Sequence, residues 1–577
     1  MAGLSTVAAL AAGYAFVTVP PPVVQVRAPW QPRLAGRVLK GAFHVHTRRS
    51  DGSGSLDSVA AAAARAGLDV VIFTDHGDGV RPAAPPSYRA GVLCIDGVEV
   101  STTGGHYAAL GARPSPYPLG GDAAGVVDDV RRLGGLGVVT HPDSPKRALL
   151  WRDWDLPIDA FEWLSADSAW RDEPRGVLIG TALRYLVRGP EVIASLFDRP
   201  DAVLRRWDEA GSRGRRLVAL AGLDAHARLG PRGTDSDEAG ETGEQWSLPV
   251  PSYEVVFRTL SLRIEVGGPL AARPEDDAAR VIEALRRGHV FTVVDGLARP
   301  GGFEFFGETP TGLVRMGDDV PPGASSLRLH ARTASPAGAV VSILANGVRV
   351  ARGTGVELAY DATPAQLAGP TMFRVEVDGP SSGSRRLAPT ILSNGIFVGA
   401  LAPGGGWEGT GRGGTEAGGT RDLLADGDRA TWAIERDPGS RGAFERFGAG
   451  GPAVFTYALD RDDKNAWSAL VVSLGRPVGE GAVLRLRARA AGPLRLSVQV
   501  RASADQADFR WRRSVYLDET ARTVEVPVGQ MAPVRRSVPE GERPRADAVL
   551  FVVDRVNAPG GAAGTIWIDA LELRPHP

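Results

Sequence analysis

Ala42-Phe43-His44-Val45-His46, Val70-Val71-Ile72-Phe73-Thr74-Asp75-His76, Cys94-Ile95-Asp96-Gly97-Val98-Glu99, Gly137-Val138-Val139-Thr140-His141 and Val218-Ala219-Leu220-Ala221-Gly222-Leu223-Asp224-Ala225-His226 are five apolar runs that each end on imidazoles or carboxylates. Between Val38 and Leu297 such runs alternate with helical patterns, which predicts an α/β domain with parallel strands. One helix is expected over Leu56–Ala66, with Asp57 and Ser58 near its start and Gly67 just past its end. Another is expected over Glu275–Arg287, opened by Pro274 and closed by Gly288. Groups at the C-terminal ends of parallel strands converge where loops shape a pocket. Residues two apart on a strand share a face, so His44 with His46, and Asp224 with His226, can act together.

The chemistry of that set is metal binding. Six of the nine histidines lie in one stretch of this region, from His44 to His226, while His289, His330 and His576 lie apart and read as structural. The single Cys94 excludes an intramolecular disulfide and any multi-cysteine zinc site, so a metal must be held by nitrogen and oxygen. Such ligands suit Mn²⁺, Zn²⁺ or Fe²⁺, and they outnumber what one tetrahedral ion needs. A cluster of two or three divalent metals accounts for the surplus and would polarise an ester oxygen, generate hydroxide and steady a leaving group.

The ordered motifs His44-Val45-His46-Thr47, Ser50-Asp51-Gly52-Ser53, Thr74-Asp75-His76, Gly97-Val98-Glu99-Val100-Ser101, His141-Pro142 and Gly222-Leu223-Asp224-Ala225-His226 resemble the PHP (polymerase and histidinol phosphatase) superfamily over about residues 38–300. The resemblance implies a distorted (β/α)₇ barrel with a trinuclear site. His44, His46, Glu99 and Asp224 would hold one metal, and Glu99 would bridge to a second held by His106 and His141. Asp51, His76 and His226 would hold the third. Glu99, Asp224 and His226 are the expected catalytic groups. The family's Glu-x-x-Asn stretch stands here as Glu162-Trp163-Leu164-Ser165, which leaves the role of Ser165 open.

Arg48, Arg49, Lys146 and Arg171 follow these motifs and are candidates to bind an anionic substrate, with solvated loop positions as the competing role. Arg147 and Arg152 stand nearby. Trp151, Trp154, Trp163 and Trp170 either wall a pocket or pack the rim. The expected function is a phosphoesterase acting on a small phosphomonoester or nucleotide. The alternatives are a carboxyl-ester, carbamate or amide hydrolase of the carbaryl-hydrolase type, which the trailing β-units suggest, and a non-catalytic surface-binding protein. An amidohydrolase also fits His-x-His, but those enzymes typically place a carboxylated lysine where this chain has Glu99.

The rest of the chain reads as β-structure. Residues 301–402 are expected to form an immunoglobulin-like β-sandwich, signalled by the Asn346-Gly347 hairpin between Val341–Leu344 and Val348–Val350. A Gly-rich linker spans 403–421, and 422–577 is expected to be a jelly roll resembling carbohydrate-binding modules. There Leu484, Leu486 and Ala488 alternate with Arg485, Arg487 and Arg489, and Leu494, Leu496, Val498 and Val500 alternate with Arg495, Ser497, Gln499 and Arg501. That period marks half-buried strands. Trp432, Trp467 and Trp511 are candidate platforms for a carbohydrate partner, with core packing as the alternative. The linker predicts two self-contained cores that survive separation.

A net charge of -1 gives no basic footprint for nucleic acid. Residues 1–37 combine an apolar stretch, Leu4–Val19, with Pro20, Pro21 and Pro22. Export or an N-terminal membrane anchor is the expectation, and a surface-packed arm the alternative.

Overall fold

The computed structural model describes residues 13–27, 29–171, 173–228, 248–379, 386–400, 420–425, 431–447, 451–502, 509–534 and 546–575. The Gly-rich run, His576 and most of Leu4–Val19 lie outside the described residues.

Ten strands build the α/β domain: β1 (Arg37–Val45), β2 (Val70–Phe73), β3 (Ser87–Arg89), β4 (Val92–Thr102), β5 (Gly105–Leu110), β6 (Leu136–Val139), β7 (Ala160–Ser165), β8 (Val218–Gly222), β9 (Ser261–Val266) and β10 (Val290–Val293). Their order is β10-β9-β1-β2-β4-β5-β6-β7-β8, with β3 on β4. Every residue of β2, β6 and β8 is buried, as expected of strands covered on both faces. The sheet curls until the chain after β8 meets the end of β1. There Leu223 N donates to Phe43 O at 3.0 Å, Ala225 N to His44 O at 3.2 Å, and His46 N to Ala225 O at 3.0 Å.

The helices fall within a residue of expectation. Leu56–Arg65 is capped by Ser55, whose hydroxyl accepts from Ser58 N, and it buries Val59, Ala60, Ala62 and Ala63. Pro274–Arg287 ends on Gly288 at φ 76, a conformation that favours glycine. The strand directions depart from expectation. β1, β2 and β4 run parallel, as do β6, β7 and β8, but β5 is antiparallel to both β4 and β6. Only Thr103 and Gly104 separate β4 from β5, and so short a connection can join only antiparallel neighbours.

The following β-unit is built on the same sheet. Ile391–Ser393 pairs antiparallel with β10, so the sheet runs on through Thr371–Asp378 and Val340–Ala345 to Val348–Gly353. A four-stranded antiparallel sheet, led by Phe303–Thr309 and Arg328–Thr333, packs against it over Phe305, Leu329, Ile343 and Phe373. Asn346 and Gly347 both have positive φ, 46 and 81, as a two-residue hairpin turn demands.

The C-terminal unit is two six-stranded antiparallel sheets enclosing Leu484, Leu486, Leu496, Val498 and Phe551. Leu494–Arg501 is not half-buried as its alternation suggests. Arg495, Ser497 and Gln499 are buried as well, and Arg495 meets the α/β domain. Arg495 donates to both oxygens of Asp129, at 2.8 and 2.9 Å, and pairs with Asp128 on the Ala123–Arg132 helix. Ser514 N donates to Asp122 at 3.0 Å, and Asn557 Nδ2 donates to Pro118 O at 3.0 Å and Gly120 O at 3.3 Å. The Arg132 guanidinium lies 3.6 Å above the Tyr516 ring. The two cores are therefore docked through polar contacts, among them the buried Arg495–Asp129 pair.

Candidate metal centre

All nine residues expected to bind metal come together at one end of the curled sheet. His44 and His46 lie at the end of β1, His76 and His141 just past β2 and β6, Glu99 in β4, His106 in β5, Asp51 in the loop after β1, and Asp224 and His226 past β8. His44, His141 and Asp224 hold positive φ of 66, 32 and 47. Such backbone costs about 1–3 kcal/mol per non-glycine residue and persists where the surroundings fix it.

Around Glu99 Oε2 and Asp224 Oδ1 the Nε2 atoms of His44 and His46 converge. His44 is 3.3 and 3.4 Å from those two oxygens and His46 is 3.3 and 3.2 Å from them. Ligands ~2.0 Å from a tetrahedral metal lie ~3.3 Å apart. The other oxygen, Glu99 Oε1, faces His141 Nε2 at 3.0 Å and His106 Nδ1 at 3.2 Å, and accepts from Thr140 Oγ1 at 2.6 Å. A third group forms where His226 Nε2 lies 3.0 Å from Asp51 Oδ2, with His76 Nε2 3.9 Å from Asp51 Oδ1. His76 Nδ1 also lies 3.3 Å from Glu99 Oε2, and Asp167 joins Asp224 and His226 with ligand atoms within 4.8 Å.

The donor set fits divalent cations. His44 Nε2, His46 Nε2, His76 Nδ1, Glu99 Oε2, His141 Nδ1 and His226 Nε2 are buried without a hydrogen-bond partner. Buried polar atoms without partners are costly, and five of these six face other members of the set at the distances just given. Electrostatics agree. Burial lowers the pKa of a histidine, yet the carboxylates Glu162, Glu99 and Asp224 outweigh it and raise His44 well above the usual range. His46 is likewise raised, to about 10, against its burial by Asp224 and Glu99, and His141 is raised by Glu99. At His76 burial prevails and its pKa falls to about 4. Burial opposes ionisation of Asp51, Glu99 and Asp224, but the imidazoles hold all three carboxyls below their usual range. The pocket demands positive charge.

Glu162 is the group that sequence reasoning left without a role. It is buried on β7, its Oε1 bonded to His44 Nδ1 at 2.6 Å and its Oε2 accepting from His141 N at 2.6 Å. It thus fixes the ring of one candidate ligand and the backbone of another. A Cβ on Gly222 would come 1.6 Å from Glu162 Oε1, which explains glycine there. A lone acid inside the apolar run Ala160–Leu164 was the available signal. Glu162→Gln must point an N–H at one of two donors, so metal affinity is expected to fall roughly 10–100-fold. Titration of metal-stripped wild type and variant checks this, and equal affinities would remove the orienting role.

The cationic candidates gather less closely. Arg49 is held by Asp75 at 3.0 Å and by both oxygens of Asp96. Arg48 is exposed and donates to Ser53 O. Lys146 is exposed on the loop after His141. Arg171 pairs with Asp167 and lies 4.9 Å over the Trp170 ring, at the rim of the third group. Trp151 stacks on Tyr107, Trp154 packs on Phe161, and buried Trp163 donates to Thr292, so these three pack the domain. Trp511 is buried and Trp432 stacks on Phe444. A cavity beside His76 is lined by Asp78, Arg81, Arg113 and Leu119, and none of the four cationic candidates lines it.

No family model and no curated protein matches the chain. Among solved structures it is similar to a family 11 carbohydrate-binding module from Clostridium thermocellum in complex with a β-1,3-1,4-mixed-linked tetrasaccharide, at 15% identity over 28% of this chain and 98% of the module, with a TM-score of 0.21. It is also similar to a mutant family 29 carbohydrate-binding module complexed with cellulohexaose, at 15% identity over 25% of this chain and 91% of the module, with a TM-score of 0.16.

Proposed function

We propose that the chain is a metal-dependent hydrolase of phosphoric esters, with a PHP-like, distorted (β/α)₇ barrel made by β1, β2 and β4–β8. The observation that carries this reading is Glu99, buried, with its two oxygens directed at two different sets of imidazoles. His44, His46, Glu99 and Asp224 would hold one metal, Glu99 with His106 and His141 a second, and Asp51, His76 and His226 a third. Bound there, divalent metals supply Lewis acidity toward an ester oxygen and a nucleophile from water near neutral pH. Glu162 orients His44 and the His141 backbone, and Thr140 holds Glu99 by its Oε1. Asp224 and His226 lie beside Asp167, which keeps Arg171 at the rim to meet an anionic group.

Carboxyl-ester or carbamate hydrolysis is the second reading, favoured by one observation. The Arg49 guanidinium is committed to Asp75 and Asp96, which thins the cationic wall a phosphate needs. Turnover of a phosphomonoester, a carboxyl ester and a carbamate by the metal-loaded protein separates the two. Phosphomonoester turnover inhibited by inorganic phosphate is the expected result. Activity confined to the neutral esters would overturn the first reading.

A further inference from the structure

One surface of the α/β domain is apolar where a helix facing water is normally charged. The Arg175–Ala194 helix, irregular at Arg188, leaves Ile179 67%, Leu186 84% and Val187 47% exposed. Gly176 and Ala182 are exposed as well, and the spacing 176, 179, 182, 186 traces one outward stripe. Beside it, residues 13–18 are helical and leave Phe16 77% and Val17 82% exposed.

The two segments are joined along their length. A Cβ on Gly180 would come 2.9 Å from the Tyr14 hydroxyl, and Arg188 Nη1 donates to Pro20 O at 2.6 Å. The helix Arg175–Ala194 carries Arg175, Arg184, Arg188 and one acid, Glu191, which accepts from Val23 N at 3.5 Å, and the chain has no charged residue from Ala2 to Val26. Among the described residues no helix is long and apolar enough to cross a membrane.

We propose that this face lies on an anionic lipid bilayer, with Phe16, Val17, Ile179 and Leu186 entering the boundary between headgroups and acyl chains. An exposed apolar stripe whose helix carries three arginines and one acid, Glu191, already engaged with the Val23 backbone, is the pattern of a surface-lying amphipathic helix. A second copy of the chain fits less well, since face-to-face pairing would bring like guanidinium charges together.

Vesicle flotation of the full chain tests this, using phosphatidylcholine with and without phosphatidylglycerol. Wild type is expected to float with the anionic vesicles, and less in high salt. The double substitution Ile179→Asp with Leu186→Asp, at exposed positions, is expected to weaken partition more than roughly tenfold while near-ultraviolet circular dichroism stays unchanged. Wild type left with no vesicle, a variant that floats as wild type does, or a wild-type dimer that the variant turns into monomer would each overturn the proposal.

Discussion

Glu99→Gln is expected to lower hydrolysis by roughly a hundredfold or more and to weaken retention of at least one metal. The carboxylate is buried and faces five imidazoles, three at one oxygen or the other within 3.2 to 3.3 Å besides His44 and His141. An amide keeps its shape but removes a negative charge from a pocket proposed to hold cations. It also turns a donor N–H toward ring nitrogens whose lone pairs a metal needs. Metal content and turnover are to be measured on the same preparations. Full metal with undiminished turnover would remove Glu99 from the site.

Arg495→Ala carries the second large effect. The guanidinium is buried between the sandwich and the Ala123–Arg132 helix, and its partner Asp129 is 1% exposed. Breaking a buried pair from one side leaves an uncompensated charge and costs about 3–5 kcal/mol. Asp129 keeps Tyr117 and Arg132, so the lower end of that range is expected. Urea unfolding measures the loss, with exposed Arg487→Ala as a control expected within about 0.5 kcal/mol of wild type. Equal stability of the two variants would mean that the docked arrangement contributes nothing.

The docking bears on the metal centre. Asn557 and Ser514 hold the 118–122 loop, and Thr103 N donates to Gly121 O at 2.7 Å in the turn between β4 and β5. That turn joins the strands of Glu99 and His106.

How much of this was legible in sequence follows from how local each cause is. Candidate ligands at the ends of apolar runs announce themselves, because strand ends in such a sheet face the pocket; His44, His76, His141 and Asp224 are of this kind. His106 is not, since it opens a strand of reversed direction, and only the family resemblance reached it. Arg49 shows the opposite failure. Its neighbours in sequence are ligands, but Asp75 and Asp96, which claim it, are 26 and 47 residues away. Arg495 sits in a clean alternation that predicts exposure, and nothing within its strand reveals the helix that covers it. The helix stop at Gly288 and the Asn346-Gly347 turn were legible because their geometry is set by adjacent residues.

Elemental analysis of the full chain, purified without chelator, tests the central claim most directly. The surplus of ligands predicts roughly two or three transition-metal equivalents per chain, most of them lost in His44→Ala and Asp224→Ala. One equivalent or none in wild type would contradict a metal cluster built around Glu99.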